Sequence, residues 1–408
     1  MEAFEEKLAQ ATTPATRTIL GAIGAVWNNA GETLYHHAAG SQSLNADSPP
    51  IDPDSVVSLG SAGKFITHIA ALQLVDRGIL TLDEPLEKHL PELAELPLIL
   101  PPPPNNEKGE EFILRPPTKK VTLRHLLTHT SGFPPEGHPL IDAYLASGHA
   151  KDTNGEPKKR FYAAVPLIFE PGEGYAYGQS IHWTQRVVGR LSSEVGFLGY
   201  IQANIFDPLE MTSSSYLPQD SPDLWDRRLR MVERSPEGEG EKKKDLIPAD
   251  DAAQGLACSI SDMRKILVEL ISPTNNPSSK LLKNPELVDV LFQAQFRPGS
   301  QPLRDLRSDP ENYAFIAGPP PSSPEDQEDG GHPGVNWSAI GLVAVGEGLI
   351  TGLPVGTVAW EGMPNVMWAV NRERGIAALF ATQLIPFADP EAHAVAVAFM
   401  RGVWGVFA

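Results

Sequence analysis

The fold and the chemistry of this chain are both decided by residues 58–67, Ser58-Leu-Gly-Ser61-Ala-Gly-Lys64-Phe-Ile-Thr67. From there, apolar residues stand at positions 65, 66, 69, 72 and 75, which is the three-and-four spacing of a helix. Gly78 follows directly, at a point where helices commonly end. The pattern therefore predicts a helix that begins near Ser61 and ends before Gly78.

Ser61 and Lys64 are three residues apart, so a helix places them on one face as neighbours. A serine hydroxyl becomes a good nucleophile when a base takes its proton, and a partly desolvated lysine can do so. The N-terminus of the helix adds free N–H groups that favour a developing oxyanion. Ser-x-x-Lys is also common as a capping serine followed by a solvated lysine, so the rest of the chain must decide.

The composition is that of a folded, acidic protein. With 408 residues and 41% hydrophobic content, the chain is long enough for two subdomains. Its net charge of −18 argues against nucleic acid or an anionic membrane as a partner. Cys258 is the single cysteine, so no internal disulfide is expected. Residues 1–8 carry several charges, so no signal peptide is expected. The apolar segment 339–360 is broken by glycines, so no membrane span is expected there, and we expect a cytoplasmic protein.

Strand patterns lie at both ends of the chain, and helical patterns lie between them. A hairpin is predicted over residues 18–39, and four strands over 338–346, 355–361, 365–371 and 375–383, before a closing helix at 390–403. We therefore predict an α+β fold in which both termini form one antiparallel sheet flanked by helices. The α/β subdomain spans about 15–80 and 335–408, and a mainly helical subdomain of 81–334 carries surface loops at 96–120, 234–245 and 318–333.

Two later segments complete a recognisable set with Ser61 and Lys64. Tyr177 lies 116 residues after Ser61 in a turn-rich loop, before a predicted helix at 181–193. Trp360-Glu361-Gly362 ends a predicted strand just before Met363. This order and spacing resemble the serine β-lactamase and penicillin-binding-protein superfamily.

Further segments resemble particular branches of that superfamily. Residues 126–133, Leu-Leu-Thr-His-Thr-Ser-Gly-Phe, are similar to a segment of the class C-like esterases. Residues 177–183 and 360–365 resemble the fungal lovastatin-type acyltransferases, which move an acyl group from a thioester to a hydroxyl of a natural product. The resemblance runs from about residue 15 to the end of the chain and implies the β-lactamase-like fold.

The resemblance also implies roles for individual residues. Ser61 would be the nucleophile that accepts the acyl group, and Lys64 and Tyr177 would transfer protons, with Tyr175 as the alternative tyrosine. The backbone N–H groups of Ser61 and of Met363, next to Gly362, would form the oxyanion hole. Each such donor contributes about 3–4 kcal/mol to transition-state stabilisation.

The chain departs from β-lactamases in two places. Where those enzymes usually carry Lys-Thr-Gly, this chain has Trp360-Glu361-Gly362, with no cation for an antibiotic carboxylate. Their Tyr-x-Asn motif is Tyr177-Gly178-Gln179 here, so Gln179 is the available amide. Trp360 suits an aliphatic or aromatic acyl group or a polyketide-like acceptor, and penicillin hydrolysis is not expected as the main activity. Four tryptophans are candidate walls of a hydrophobic cleft, with core packing as the alternative: Trp183, Trp225, Trp337 and Trp368.

The leading hypothesis is a serine acyltransferase that moves an acyl group from a thioester, through acyl-Ser61, to a hydroxyl of a small natural product. A carboxylesterase with the same site and a non-catalytic binding protein on the same fold are the alternatives. No metal or other cofactor is expected, since His36 and His37 point to opposite faces of a strand. The expected acyl donor is a thioester of an acyl carrier protein or of coenzyme A. An acidic carrier needs a basic surface, for which Lys119–Lys120 and 158–160 are candidates.

Overall fold

The computed structural model describes the chain except for residues 16, 106–110, 150–164, 236–244, 250–254, 273–278 and 320–330. The described α-helices are α1 Glu2–Thr12, α2 Lys64–Asp76, α3 Leu123–Leu127, α4 Pro139–Ala146, α5 Ser180–Leu191, α6 Gly196–Ile201, α7 Asp207–Leu209, α8 Pro222–Asp226, α9 Ile260–Ile271, α10 Pro285–Phe292, α11 Gln301–Ser308, α12 Ala314–Ala317 and α13 Pro390–Val406. Short 3-10 turns include Gly60–Gly63, and a π-helical turn spans Gln202–Phe206.

The described strands are β1 Gly21–Asn28, β2 Thr33–Gly40, β3 Val56–Ser58, β4 Leu98–Leu100, β5 Ile113–Arg115, β6 Ser214–Ser215, β7 Val232–Arg234, β8 Leu246–Pro248, β9 Ala257–Ser259, β10 Val335–Trp337, β11 Leu342–Ala344, β12 Val358–Gly362, β13 Val366–Asn371, β14 Ile376–Ala381 and β15 Leu384–Ile385. Seven of them form the main sheet in the order β10-β11-β12-β13-β14-β1-β2.

Both termini build the main sheet, as predicted. The N-terminal hairpin of β1 and β2 joins the C-terminal strands through the antiparallel pair β1–β14. Strands β12, β13 and β14 are buried along their whole length. This burial agrees with the mostly apolar residues on both faces of each strand. Of the predicted strand at 338–346, only Leu342–Ala344 forms a strand, β11, because residues 338–341 turn the chain back from β10, with the Ser338 N–H bonded to Gly341 O.

Helices cover both faces of the main sheet. On one face, α1 and α13 bring Phe4 and Phe399 against Gly24, where a Cβ would lie only 2.6 Å from the Phe399 ring. On the other face, Phe65 of α2 packs on Trp368 of β13, with ring centroids 5.0 Å apart. The helix that follows Ser61 is therefore fixed against the centre of the sheet.

The segment between the sheet strands is mainly helical. The prediction of a loop over 96–120 was wrong in part, because β4 and β5 pair within it and Arg115 bonds the Glu170 carboxylate at 2.6 Å. The loops predicted at 234–245 and 318–333 lie mostly outside the described residues. Strands β7 and β8, which flank the loop at 234–245, pair with each other. The division into two subdomains stays a prediction.

Two features are absent from the described residues. None of the helices in those ranges is long and apolar enough to cross a membrane. Within the same ranges, no three His, Cys, Asp or Glu side chains converge as a metal site requires.

Candidate functional site

Ser61 lies in the 3-10 turn Gly60–Gly63, which runs directly into α2. The predicted helix therefore begins three residues later as an α-helix than its sequence pattern indicates, because the Lys64 N–H bonds Ser61 O in the tighter i to i+3 manner. Gly60 has a φ of +52°, a left-handed conformation that favours glycine. The serine thus stands at the tip of a tight turn.

The backbone before this turn is held by side chains from distant parts of the sequence. The Gln383 amide accepts from the Ser58 N–H at 2.9 Å and donates to Ser58 O at 3.0 Å. The Leu59 N–H donates to Leu256 O, and the indole N–H of Trp368 donates to Ala62 O at 2.8 Å. Contacts on both sides of Ser61 fix its position relative to the sheet.

Ser61, Lys64 and Tyr177 come together in the structure. The Lys64 ammonium donates to Ser61 Oγ at 2.6 Å and to the Tyr177 hydroxyl oxygen at 2.8 Å. Tyr177 precedes α5 in a loop where Gly178 is required, since a Cβ there would lie 2.4 Å from Pro134 O. Tyr175, the alternative tyrosine, is buried and packs on other rings instead. One proton path therefore runs from Ser61 through Lys64 to Tyr177.

Trp360 is the nearest neighbour of Tyr177 on the sheet side. Its side chain is only 5% exposed, and its indole N–H donates to the Tyr177 hydroxyl oxygen at 3.0 Å. Indole is a donor only, so Tyr177 accepts one hydrogen bond from Trp360 and another from Lys64. The residue pattern predicts that Trp360 contacts substrate, and it does not predict this hydrogen bond.

Replacing Trp360 with phenylalanine is expected to lower kcat/KM for acyl transfer about fivefold, with little change in KM. The variant keeps an aromatic ring but removes one hydrogen bond to Tyr177, and a bond of this kind contributes about 1 kcal/mol. Steady-state kinetics over a range of pH measures the effect. Trp183→Phe is the matched control, because Trp183 is buried against Phe133 away from Ser61. Equal losses in both variants would contradict a specific role for Trp360.

The end of β12 packs directly on the turn that carries Ser61. A Cβ on Gly362 would lie only 1.9 Å from Leu59 O. A Cβ on Gly60 would lie 3.1 Å from the Met363 backbone nitrogen. The backbone of Met363 therefore borders the Ser61 turn, which is the arrangement that an oxyanion hole needs.

A cleft of about 450 Å³ opens beside Ser61. Its walls include Ser61, Lys64, Tyr177, Gln179 and Met363, and its outer residues include Glu136 on an exposed loop. The hypothesis that tryptophans line this cleft was wrong for all four. Trp183, Trp337 and Trp368 are fully buried in the core, and Trp225 lies under the Arg228 guanidinium.

Two buried histidines lie beneath Lys64 and Tyr177. The His129 ring is 4.6 Å from the Tyr177 ring and 6.2 Å from the His68 ring, measured between centroids. Burial lowers the pKa of His68 to about 4, and it lowers the pKa of His129 well below its usual value. Both rings are therefore neutral at pH 7, and the positive charge beside Ser61 comes from Lys64.

His68 is expected to make the fold sensitive to acid. Its pKa in the folded state lies below the ordinary value of 6.5, so the unfolded chain binds more protons and stability falls as the pH drops from 6.5 towards 4. This histidine accounts for a loss of about 2 kcal/mol between pH 7 and pH 5. Urea unfolding of wild type and His68→Gln at both pH values measures it. An identical pH dependence in the two proteins would contradict the assignment.

The candidate basic surface is only partly described. Lys119 pairs with Glu173 and Lys120 pairs with Glu87, each at 2.8 Å, so both cations already have counterions. Residues 158–160 lie outside the described residues. Docking of an acidic carrier at either segment stays a prediction.

Comparisons with known proteins agree with this geometry. The sequence profile of the Beta-lactamase family matches residues 4–399. The chain is 30% identical to the acyltransferase calJ of Penicillium decumbens, over 92% of this chain and 87% of that protein. It is 29% identical to the lovastatin esterase of Penicillium rubens, over 91% and 90%. Unliganded simvastatin synthase of Aspergillus terreus superposes with a TM-score of 0.82 at 26% identity, over 98% and 97%.

Proposed function

The chain belongs to the Beta-lactamase family, and from that premise we propose that it transfers an acyl group from a thioester, through acyl-Ser61, to a hydroxyl of a small natural product. It is an enzyme of the β-lactamase-like serine acyltransferase or esterase type. The observation that carries the finer proposal is the hydrogen-bonded series of Ser61, Lys64 and Tyr177 on the wall of an open cleft.

In the first step, Ser61 Oγ attacks the carbonyl carbon of the thioester, and its proton passes through Lys64 to the Tyr177 oxygen, which must begin this step as the phenolate. The carbonyl oxygen becomes an oxyanion facing the N–H groups of Ser61 and Met363. The intermediate then collapses, the C–S bond breaks, and the departing thiolate takes the proton. Ser61 is left as an ester of the acyl group.

In the second step, the acceptor hydroxyl attacks the acyl-Ser61 carbonyl carbon and gives its proton to the same pair. The bond to Ser61 Oγ breaks, and the serine oxygen takes that proton back. Tyr177 suits this proton transfer because its oxygen accepts hydrogen bonds from Lys64 and Trp360, two donors that stabilise the phenolate needed to take the proton.

The alternative is a carboxylesterase, in which water replaces the acceptor hydroxyl. The similarity to a lovastatin esterase supports this alternative. The two activities share acyl-Ser61 and differ only in which nucleophile reaches it.

A partition experiment separates the two. The enzyme is supplied with a butanoyl thioester and increasing concentrations of an alcohol, and ester and free acid are measured together. The transferase proposal predicts that ester becomes the main product as alcohol rises, at the expense of acid. Free acid as the main product with every alcohol in a varied panel would favour the esterase instead.

A further inference from the structure

The cleft continues well past the reacting serine. Ser61, Lys64 and Thr67 follow one another at three-residue spacing from the 3-10 turn into α2, and all three line the cleft. The six steps from Ser61 to Thr67 correspond to about 10 Å along these two helical turns. The same cleft is lined by His182 and Gln185 of α5. A substrate that reacts at Ser61 therefore has room for a group that extends to Thr67.

The far end of the cleft is lined by polar side chains. Thr67 Oγ1 and the Tyr216 hydroxyl oxygen are 3.5 Å apart, a distance at which a hydrogen bond between them is weak. His182 of α5 also lines the cleft, and its side chain forms a hydrogen bond with Gln185. We call Thr67, His182, Gln185 and Tyr216 the polar subsite.

The polar subsite is electrically neutral at pH 7. Burial raises the pKa of Tyr216 to about 12. Burial and the nearby Lys64 charge lower the pKa of His182 below its usual value, although Gln185 and Glu136 oppose this. All four side chains then offer hydrogen-bond donors and acceptors without a net charge.

Charge around the cleft sets the kind of group that this subsite accepts. Among the described lining residues, the charged side chains are Lys64, already bonded to Ser61 and Tyr177, and Glu136. Since Lys64, the cation of this pair, already donates to Ser61 and Tyr177, a carboxylate or phosphate in the polar subsite would have no free counterion among these lining residues. A neutral hydroxyl or carbonyl oxygen would instead find several partners.

We propose that the polar subsite binds a neutral oxygen-bearing group, a hydroxyl or a carbonyl, which the substrate carries about 10 Å from its reacting carbonyl carbon. The inference rests on the proposed function, because it assumes that acyl transfer occurs at Ser61. The oxygen belongs either to the acyl chain or to the acceptor. Both sources present the same chemistry to Thr67 and Tyr216.

Two pairs of substrates test the proposal and separate the sources. In the acyl arm, 8-hydroxyoctanoyl and nonanoyl thioesters of N-acetylcysteamine differ only by a hydroxyl in place of a methyl group. In the acceptor arm, 1,6-hexanediol and 1-heptanol compete for the same butanoyl donor. Acylation of Ser61 is followed by mass spectrometry, and ester formation by chromatography.

The expected result is a preference of about tenfold in kcat/KM for the hydroxylated compound in one arm, the contribution of one good hydrogen bond. This preference should fall towards one in Tyr216→Phe and in Thr67→Val, which remove a hydroxyl with little change in shape. Tyr200→Phe is the matched control, since Tyr200 is buried away from the cleft, and it should keep the wild-type preference.

Each outcome has a distinct meaning. A preference in the acyl arm assigns the oxygen to the acyl chain, and one in the acceptor arm assigns it to the acceptor. Equal rates in both arms, with Ser61 acylated, would overturn the polar subsite and leave the proposed function standing. A preference that survives in both subsite variants would also overturn it. Failure of every thioester to acylate Ser61 would overturn the proposed function itself.

Discussion

Replacing Ser61 with alanine is expected to lower kcat/KM for acyl transfer by about 10,000-fold or more, the loss typical of a missing nucleophile. The oxygen that attacks the acyl carbonyl would be gone, while the turn Gly60–Gly63 would keep its backbone. The oxyanion wall at Met363 would remain and would support only residual turnover. Transfer is measured with a butanoyl thioester and an excess of alcohol.

The Ser61→Ala protein should also unfold at the wild-type temperature within a few degrees. Ser61 is only partly buried, and alanine leaves the contacts of Leu59 and Ala62 in place. A matched Ser43→Ala variant, on a loop remote from the cleft, should retain full activity. Activity of Ser61→Ala within tenfold of wild type would show that another group is the nucleophile.

Replacing Lys64 with methionine is expected to lower kcat/KM by about 1,000-fold, within the range for loss of a proton-transfer group. Methionine has a similar length and fills the same space, but it cannot take or give a proton. The link from Ser61 Oγ to the Tyr177 hydroxyl, made by the Lys64 nitrogen at 2.6 and 2.8 Å, would be broken. The loss should fall mainly on kcat for the acylation step.

Pre-steady-state acylation of Ser61 in wild type and Lys64→Met measures this loss directly. Lys265→Met is a suitable control, because Lys265 bonds Asp262 on α9 and does not line the cleft. If Lys64→Met formed acyl-Ser61 at the wild-type rate, the lysine would have no part in proton transfer, and the mechanism would fail at its first step.

Local sequence signals predicted the elements that carry the site. The apolar period after Ser61 predicted α2, and the strand patterns at both ends predicted one sheet, since each depends on near neighbours in sequence. The start of α2 was misplaced because a 3-10 turn and an α-helical turn begin with the same residue types. The hairpin of β4 and β5 was missed because Pro101–Pro104 between its strands indicates a loop.

The role of Trp360 shows what sequence alone does not supply. Its place before Gly362 suggested a contact with substrate, yet its indole N–H bonds Tyr177, which lies 183 residues earlier in the chain. Side-chain direction at that range is set by tertiary packing, here by Trp337 against Trp360 with ring centroids 4.6 Å apart. The polar subsite was unseen for the same reason, because Thr67, His182 and Tyr216 come from three separate elements.

Mass spectrometry of the intact protein, quenched soon after mixing with a butanoyl thioester, tests whether Ser61 carries the acyl group. We expect a mass gain of one butanoyl group, located on the peptide that carries Ser61 and absent from Ser61→Ala. The adduct should disappear when an alcohol is added, with the matching ester as product. A butanoyl group on another residue, or turnover by wild type without any adduct on Ser61, would contradict acyl transfer through this serine.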